Sequence, residues 1–272
     1  MTKRFDLDGK TAVVTGAASG IGRAVARSLA RRGCNVAICD INEAGLEETA
    51  TLIGNAVRVT RHRLDVSDGD AIAAFPAEVV AAHGGVDVVV NNAGVALEGL
   101  FDMVSEKDFD WLMRINFDGV VRMTRAFLPL LKDRPQAQLV NLSSLFGIVA
   151  VPGQTAYSAA KFAVRGFSQA LANELLEEKS GVGVTVVHPG GVKTGIATSA
   201  RSSDAVPDWM RKRTQDSFAK ALKMAPEEAG EIIVKAIERR APRVLVGGDA
   251  KAASILERLM PVRYWRIMRR AN

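Results

Sequence analysis

The sequence predicts an α/β fold: a doubly wound parallel sheet of seven strands as the middle of three layers. Two observations predict it. Short apolar runs alternate with helix-length segments along the chain. That is the pattern of strands joined by helical crossovers, and such a parallel sheet is covered on both faces. No repeat, low-complexity stretch or shift of composition marks a linker in the 272 residues, so residues 1–272 are expected to form one domain.

Thr11–Thr15 (TAVVT) reads as the first strand and residues 16–22 as a glycine-rich turn. An amphipathic helix follows over 21–32, with Val25 and Leu29 inward. Asn35–Asp40 is the second strand, and a helix runs on to about residue 53. Residues 57–64 form the third strand. Ser67 is placed to cap the next helix, which ends at Gly84 and Gly85. The fourth strand covers 86–90, and a long helix is expected from 106 to 131, interrupted late by Pro129. A strand with Leu139, Val140 and Leu142 ends at Ser143 and Ser144. A loop with Gly147, Pro152 and Gly153 as breakers leads to a helix over about 155–179. Strands at 182–187 and 244–246 complete the seven.

With 48% hydrophobic and 24% charged residues, the chain can build a sizeable core. Its net charge of +6 and pI near 9.5 are compatible with nucleic acid or an anionic membrane as partner. The aromatics are few and do not alternate with basic residues, which speaks against single-strand nucleic-acid binding. An ordinary enzyme with surplus surface arginine is the simpler reading, and no nucleic-acid partner is expected. Cys34 and Cys39 lack metal-ligand spacing and read as thiols of a reducing compartment. The opening MTKRFDLDGK has no apolar signal core, and no apolar run is long enough to cross a bilayer. A cytoplasmic location is therefore expected. His62, His83 and His188 fall in separate elements and read as ordinary structural or surface residues, and no metal site is expected.

The chemistry sits in short motifs at strand ends. Tyr157 and Lys161 are four residues apart on one helix face. A free phenol has a pKa of about 10, and a nearby ammonium favours the phenolate and lowers that value. A serine hydroxyl at the preceding strand end can steady a substrate oxygen. Upstream, TGAASGIG (15–22) joins the first strand to the first helix, with Gly16, Gly20 and Gly22 spaced G-x-x-x-G-x-G. Missing side chains there let backbone N–H groups and a helix N-terminus approach a pyrophosphate. Asp40 ends the second strand, where a carboxylate can take ribose hydroxyls and repel a 2′-phosphate. Ile41 and Asn42 follow it, and Ser19 stands where a basic residue would help bind that phosphate, so NAD is favoured and NADP is the alternative. Asp40 as a helix N-cap is compatible with the same position.

These residues resemble the short-chain dehydrogenases/reductases, a family with a Rossmann-type sheet. TGAASGIG at 15–22, Asp65-Val66, NNAG at 91–94, Asn116, Ser144, Tyr157-x-x-x-Lys161 and PGGVKT at 189–194 occur in family order, and the likeness runs from Leu7 to about Thr194. The resemblance implies reversible hydride transfer between NAD(H) and a secondary alcohol or ketone. It implies Ser144 positioning the substrate oxygen, Tyr157 as acid or base, Lys161 lowering the tyrosine pKa and bonding the nicotinamide ribose, and Asn116 kinking the long helix to hold a water. The cofactor set it implies is Gly16, Ser19, Gly20, Ile21, Gly22, Asp40, then Asp65 and Val66 at the adenine. Asn91, Ala93 and Gly94 would follow along the adenosine side and the central sheet. Pro189 and Gly190 would form the turn after the sixth strand and Val192 and Thr194 would contact the nicotinamide carboxamide, with Tyr157 and Lys161 completing the cofactor set. Ser143 is read as structural.

The substrate side is expected to be apolar. Leu145, Phe146, Val149, Val151 and Pro152 surround the catalytic loop, and Val206, Trp209 and Met210 fall in a segment at about 195–225 where the family carries a lid. An alicyclic, steroid-like or lipid alcohol would suit such a pocket; packing of the lid against the body is the plainer account. The alternatives are an NADP-linked carbonyl reductase, and a non-catalytic dinucleotide-binding scaffold or sensor that an intact Ser144, Tyr157, Lys161 and Asn116 set argues against. A homodimer or homotetramer is implied through the long helix and the Tyr157 helix. Residues 250–272 extend beyond the motifs. Wound as a helix, Arg263, Arg266, Arg269 and Arg270 fall opposite Tyr264, Trp265, Ile267 and Met268. That apolar side could pack on the same subunit or a neighbour, closing the substrate pocket, or meet a membrane surface.

Overall fold

The computed structural model describes residues 4–196, 199–203 and 205–271, with the backbone alone of 270 and 271. The chain runs β1 (Thr11–Thr15), α1 (Gly20–Ala30), β2 (Asn35–Asp40), α2 (Glu43–Ile53), β3 (Val59–Arg63), α3 (Gly69–His83), β4 (Val88–Asn91) and β5 (Leu97–Glu98). It continues with α4 (Glu106–Met113), α5 (Gly119–Lys132), β6 (Ala137–Leu142), α6 (Thr155–Glu177), β7 (Val182–Pro189) and β8 (Arg201–Ser202). It closes with α7 (Asp208–Ala221), α8 (Pro226–Glu238), β9 (Arg243–Val246), α9 (Gly248–Leu259) and α10 (Tyr264–Ala271).

Seven parallel strands form one sheet in the order β3-β2-β1-β4-β6-β7-β9. The order reverses between β1 and β4, so the crevice beyond their carboxyl ends is the ligand position of a doubly wound sheet. Two apolar clusters cover its faces. Val14, Leu29, Ile38, Val140 and Ile233 pack on one side, and Val13, Phe75, Val89, Phe127 and Leu139 on the other. Alternate residues of β1 thus serve opposite layers, as the strand period of two requires. β1 and β4 are buried throughout, as strands covered on both faces must be.

Four local departures from the sequence expectation matter. Asp68, not Ser67, caps α3, its carboxylate accepting from the Asp70 and Ala71 amides. The long helix is continuous through Pro129 but carries a π-turn at Arg114–Asp118 between α4 and α5. β5 and β8, two residues each, pair as a second small sheet at the root of the lid. α7 in the lid buries none of its residues.

α1 and α8 are joined by a charged latch. Arg32 donates to Glu231 at 2.6 Å and to Glu238 at 3.0 Å, and Ser28 also donates to Glu231. Between β4 and β6, Asn91 lies directly opposite Asn141. The Asn91 amide donates to the Asn141 side chain at 2.8 Å and to Thr124, and Asn141 donates to Ser168 at 2.9 Å.

Candidate active site

The glycine turn is built by steric exclusion. Gly16 has φ +65°, a conformation that a Cβ penalises. A side chain there would also press on the Ala93 backbone at 2.8 Å. A Cβ on Gly22 would collide with the Gly16 carbonyl. Asn92 holds this turn: its amide donates to the Thr15 and Gly16 carbonyls at 2.9 and 3.1 Å. The Thr15 hydroxyl in turn accepts from the Asn92 and Ala93 amides. Ser19 occupies the N-cap of α1 and makes no side-chain cap bond. Ile21 is half-buried and packs on the core.

Asp40 stands at the end of β2 against the turn. One carboxylate oxygen accepts from the Ala18 amide at 3.1 Å and the other from Asn42 at 3.0 Å. Asn42, not Asp40, caps α2. Arg23 is committed nearby, bonding Glu48 through two nitrogens at 2.7 Å and also reaching Thr49 and the Ala18 carbonyl. Asp65 is exposed and bonds the Ser67 amide, while Val66 is buried under α5. Asn91 is buried in the sheet rather than presented to the crevice.

On the other side of the crevice, residues 189–194 are stitched to the lid's end. The Gly191 carbonyl accepts from Lys223 and Met224, and Lys193 donates to Met224. Asp249, at the start of α9, accepts from the Gly191 amide at 2.6 Å and packs so closely on Gly190 that a Cβ there would strike it. Val192 is buried and Thr194 rests on Gly20. Gly20, Arg23, Lys193, Thr194, Leu222 and Pro226 line an open cleft of about 460 Å³.

The proton-handling groups meet where β6, α6 and the π-turn converge. The Ser144 side chain lies close enough to the Tyr157 hydroxyl to act on its pKa. Burial holds the phenol above its ordinary pKa, with Ser144 opposing it. This net direction corrects the expectation of a phenol drawn down by Lys161. The ammonium donates to the Leu142 carbonyl at 3.0 Å and stands 5.6 Å from the Tyr157 ring centre. Burial pushes the ammonium itself down to about 8, so at neutral pH it is only moderately held as a cation. Asn116 lies inside the π-turn, fully buried, its amide bonded to the Val95 N–H and carbonyl at 2.8 Å each. Gly94 sits between it and Lys161: a Cβ there would be 3.1 Å from Asn116 Oδ1 and 3.5 Å from Lys161 Nζ. Ser143 is structural in geometry, donating to the Lys161 carbonyl at 2.8 Å.

Three contributors lay outside the site residues read from the sequence. His188, on β7, is buried and its Nδ1 lies 3.0 Å from the Ser144 carbonyl. A carbonyl only accepts, so Nδ1 carries the hydrogen, and burial drives the imidazole down to about 4, keeping it neutral. Asn92 was within the NNAG motif but read only through its neighbours. Tyr264 in α10 reaches back to the catalytic loop: its hydroxyl accepts from the Ala150 amide at 2.9 Å. Tyr264 and Met268 join Leu145, Phe146, Ile148 and Val149 in one apolar cluster. Two residues of the tail's apolar side, Tyr264 and Met268, therefore pack on their own subunit, while Ile267 stays exposed. Trp209, expected in the pocket wall, is 62% exposed, because α7 has no buried face to seat it.

The comparisons with known proteins follow this geometry. The profile of the short chain dehydrogenase family matches residues 10–205. SadH of Mycobacterium tuberculosis is 42% identical over 96% of this chain and 94% of its own length. The oxidoreductase UcpA of Escherichia coli is 37% identical over 83% and 86%. Among solved structures, a short chain dehydrogenase/reductase from Burkholderia phymatum in complex with NAD superposes with a TM-score of 0.87 at 30% identity, covering 94% of this chain and 95% of that one. An alcohol dehydrogenase from the archaeon Thermococcus sibiricus complexed with 5-hydroxy-NADP gives a TM-score of 0.73 at 28% identity, over 87% and 95%. The match spans the glycine turn, the sheet and the Tyr157 helix together, and on that ground the chain belongs to the short chain dehydrogenase family.

Proposed function

We propose that the protein oxidises a secondary alcohol, or reduces the corresponding ketone, with a nicotinamide dinucleotide as hydride partner. One juxtaposition supports this most directly: Tyr157 on α6 beside Ser144, with buried Lys161 one helical turn on and 5.6 Å from the Tyr157 ring centre. The residues fit a dinucleotide. The glycine turn leaves room that Cβ atoms would fill, and the α1 N-terminus faces that room with Ser19 uncommitted as a cap. Bound there, the cofactor would supply the hydride chemistry.

The chain's own groups then handle the proton. Tyr157 takes a proton from the alcohol oxygen, or gives one to the ketone oxygen. Ser144 holds that same oxygen in place, with its backbone steadied by His188. Lys161, when charged, favours the phenolate, and it lies on the Gly94 side toward Asn116. Asn116, held in the π-turn, would anchor a water that passes the proton outward. Asp40, Asp65, Val66, Ala93, Gly94, Val192 and Thr194 would contact the cofactor, while Asn91 would act through the sheet.

The preference proposed is NAD over NADP. Asp40 presents a carboxylate beside the turn, and Arg23, the nearby guanidinium, is already tied to Glu48 and Thr49. The solved relatives carry either cofactor type: NAD in the Burkholderia protein, 5-hydroxy-NADP in the Thermococcus one. The cluster of Leu145, Phe146, Val149, Tyr264 and Met268 suits an apolar alicyclic, steroid-like or lipid substrate. Residues 1–272 are read as one catalytic domain in the cytoplasm, consistent with the buried free thiols of Cys34 and Cys39. Among the described residues no helix is long and apolar enough to cross a membrane. A dimer or tetramer through the α4–α5 helix and α6 is supported by Phe162 and Leu176, which α6 leaves exposed.

Screening NADH and NADPH absorbance against a panel of apolar secondary alcohols and ketones tests this reading. Tyr157→Phe should retain cofactor binding and lose at least about 100-fold in turnover. Near wild-type turnover in that variant would remove Tyr157 as the acid/base.

A further inference from the structure

We infer that the outer surface of α9 and α10 docks on an anionic membrane. α10 spends its apolar side on the catalytic loop, through Tyr264 and Met268. What it turns outward is basic apart from Ile267: Arg263, Arg266 and Arg269 are all exposed, and Ile267 is exposed beside them. The apolar component comes instead from α9 and the link after it. Ala250 and Ala253 face the body, which leaves Ile255 and Leu259, four residues apart, on the far side at 61% and 74% exposure. Val262 continues the ridge at 90% exposure. Lys251 and Arg258 are exposed on the same side of α9.

The charge is one-sided. Residues 250–272 contain six cations and a single carboxylate, Glu257, and Glu257 is only half-exposed. A ridge of isolated aliphatic side chains rimmed by arginines is the composition that inserts at the head-group boundary of an anionic bilayer. A second copy of the chain is the competing occupant, and the charges disfavour it. A two-fold contact sets the same patch against itself, so this ridge would bring its arginines onto their own copies with only Glu257 of this segment to receive them.

The test uses the full chain and vesicles of two parts phosphatidylcholine to one part phosphatidylglycerol, with pure phosphatidylcholine as control. Wild type should cosediment with the anionic vesicles at low salt and be released by high salt. Ile255→Ser with Leu259→Ser should lower the partition constant by about tenfold or more, from the lost aliphatic transfer. Arg263→Gln, Arg266→Gln and Arg269→Gln together should do the same while touching only exposed side chains, so folding is not at issue. Turnover on a water-soluble substrate should be unchanged in both. Wild type remaining in the supernatant with anionic vesicles at low salt overturns the inference. So does an apolar-ridge variant that binds as well as wild type, or light scattering showing that Leu259→Ser splits an oligomer, which would make the ridge a contact between copies.

Discussion

Asn92→Ala removes the clamp on the glycine turn without touching the strand pairing beneath it. The backbone bond from Asn92 to the Thr15 hydroxyl remains. Two side-chain donors disappear, those reaching the Thr15 and Gly16 carbonyls. Each neutral hydrogen bond contributes about 0.5–1.5 kcal/mol, so the loss is about 1–3 kcal/mol of stability. At about 2–4 °C per kcal/mol for a chain of this class, the melting temperature should fall by roughly 2–12 °C, nearer the low end given the chain length. Gly16 is freed in the same step, so the left-handed peptide that shapes the turn is less well held. Cofactor should then bind at least about fivefold more weakly, equivalent to about 1 kcal/mol. NADH fluorescence titration and a thermal melt read the two effects separately. A variant with both quantities unchanged would refute the clamp, and one that melts lower but binds NADH normally would confine Asn92 to a purely structural role.

Asp40→Ser should narrow the NAD-over-NADP ratio in kcat/KM by at least about tenfold; equal use of both cofactors by the wild type would defeat the selectivity argument. Tyr264→Phe should raise KM for an apolar ketone by about threefold or more, leave the cofactor KM alone and shift the melting point little, since only the hydroxyl's two bonds to Ala150 are lost; an unchanged ketone KM would dissociate the tail from the pocket. The α1–α8 latch sets an acid limit. Arg32 holds the Glu231 carboxyl down from 4.5 to about 2, so its stabilisation is complete above about pH 4.5 and is lost as pH falls toward 2. That displacement corresponds to roughly 3 kcal/mol at about 1.4 kcal/mol per pH unit, and with Glu231 33% exposed, screening reduces it to about 1–2 kcal/mol. Urea unfolding at neutral and acid pH should show Arg32→Ala less stable at pH 7 and less acid-sensitive than wild type; identical pH curves would deny the latch this role.

The seven strands of the main sheet and the place of each motif could be read from the sequence, because buried parallel strands and their crossovers leave a strong apolar rhythm. The resemblance implied a kink at Asn116, but not that it takes the form of a π-turn. A five-residue widening of a helix leaves the apolar spacing of α4 and α5 nearly intact, and its cause lies in the Val95 backbone that Asn116 must reach. β5 and β8 are too short for any period to register. His188 looked like one histidine among three because its meaning depends on Ser144, forty-four residues away. The phenol's direction of shift was misjudged for a related reason. Spacing places Lys161 beside Tyr157, but burial of both groups and the ammonium's bond to Leu142 are tertiary facts. The amphipathic tail was visible; which side of it faced the protein was not.

The Asn91–Asn141 pair has a consequence for how the sheet assembles. In the centre of the buried sheet, Asn91 reaches Asn141 and Asn141 reaches Ser168 only when β4 and β6 align residue for residue, with Thr124 as a further acceptor for Asn91. Displace β6 by one position and both amides face apolar neighbours with nothing to bond, a penalty that a valine ladder would never impose. The pair thus works as a proofreading element: it contributes modestly to the finished fold but makes neighbouring misaligned folds expensive. Replacing both by valine should leave a protein of comparable stability that refolds with more misaligned product, whereas replacing one alone should be the more damaging change.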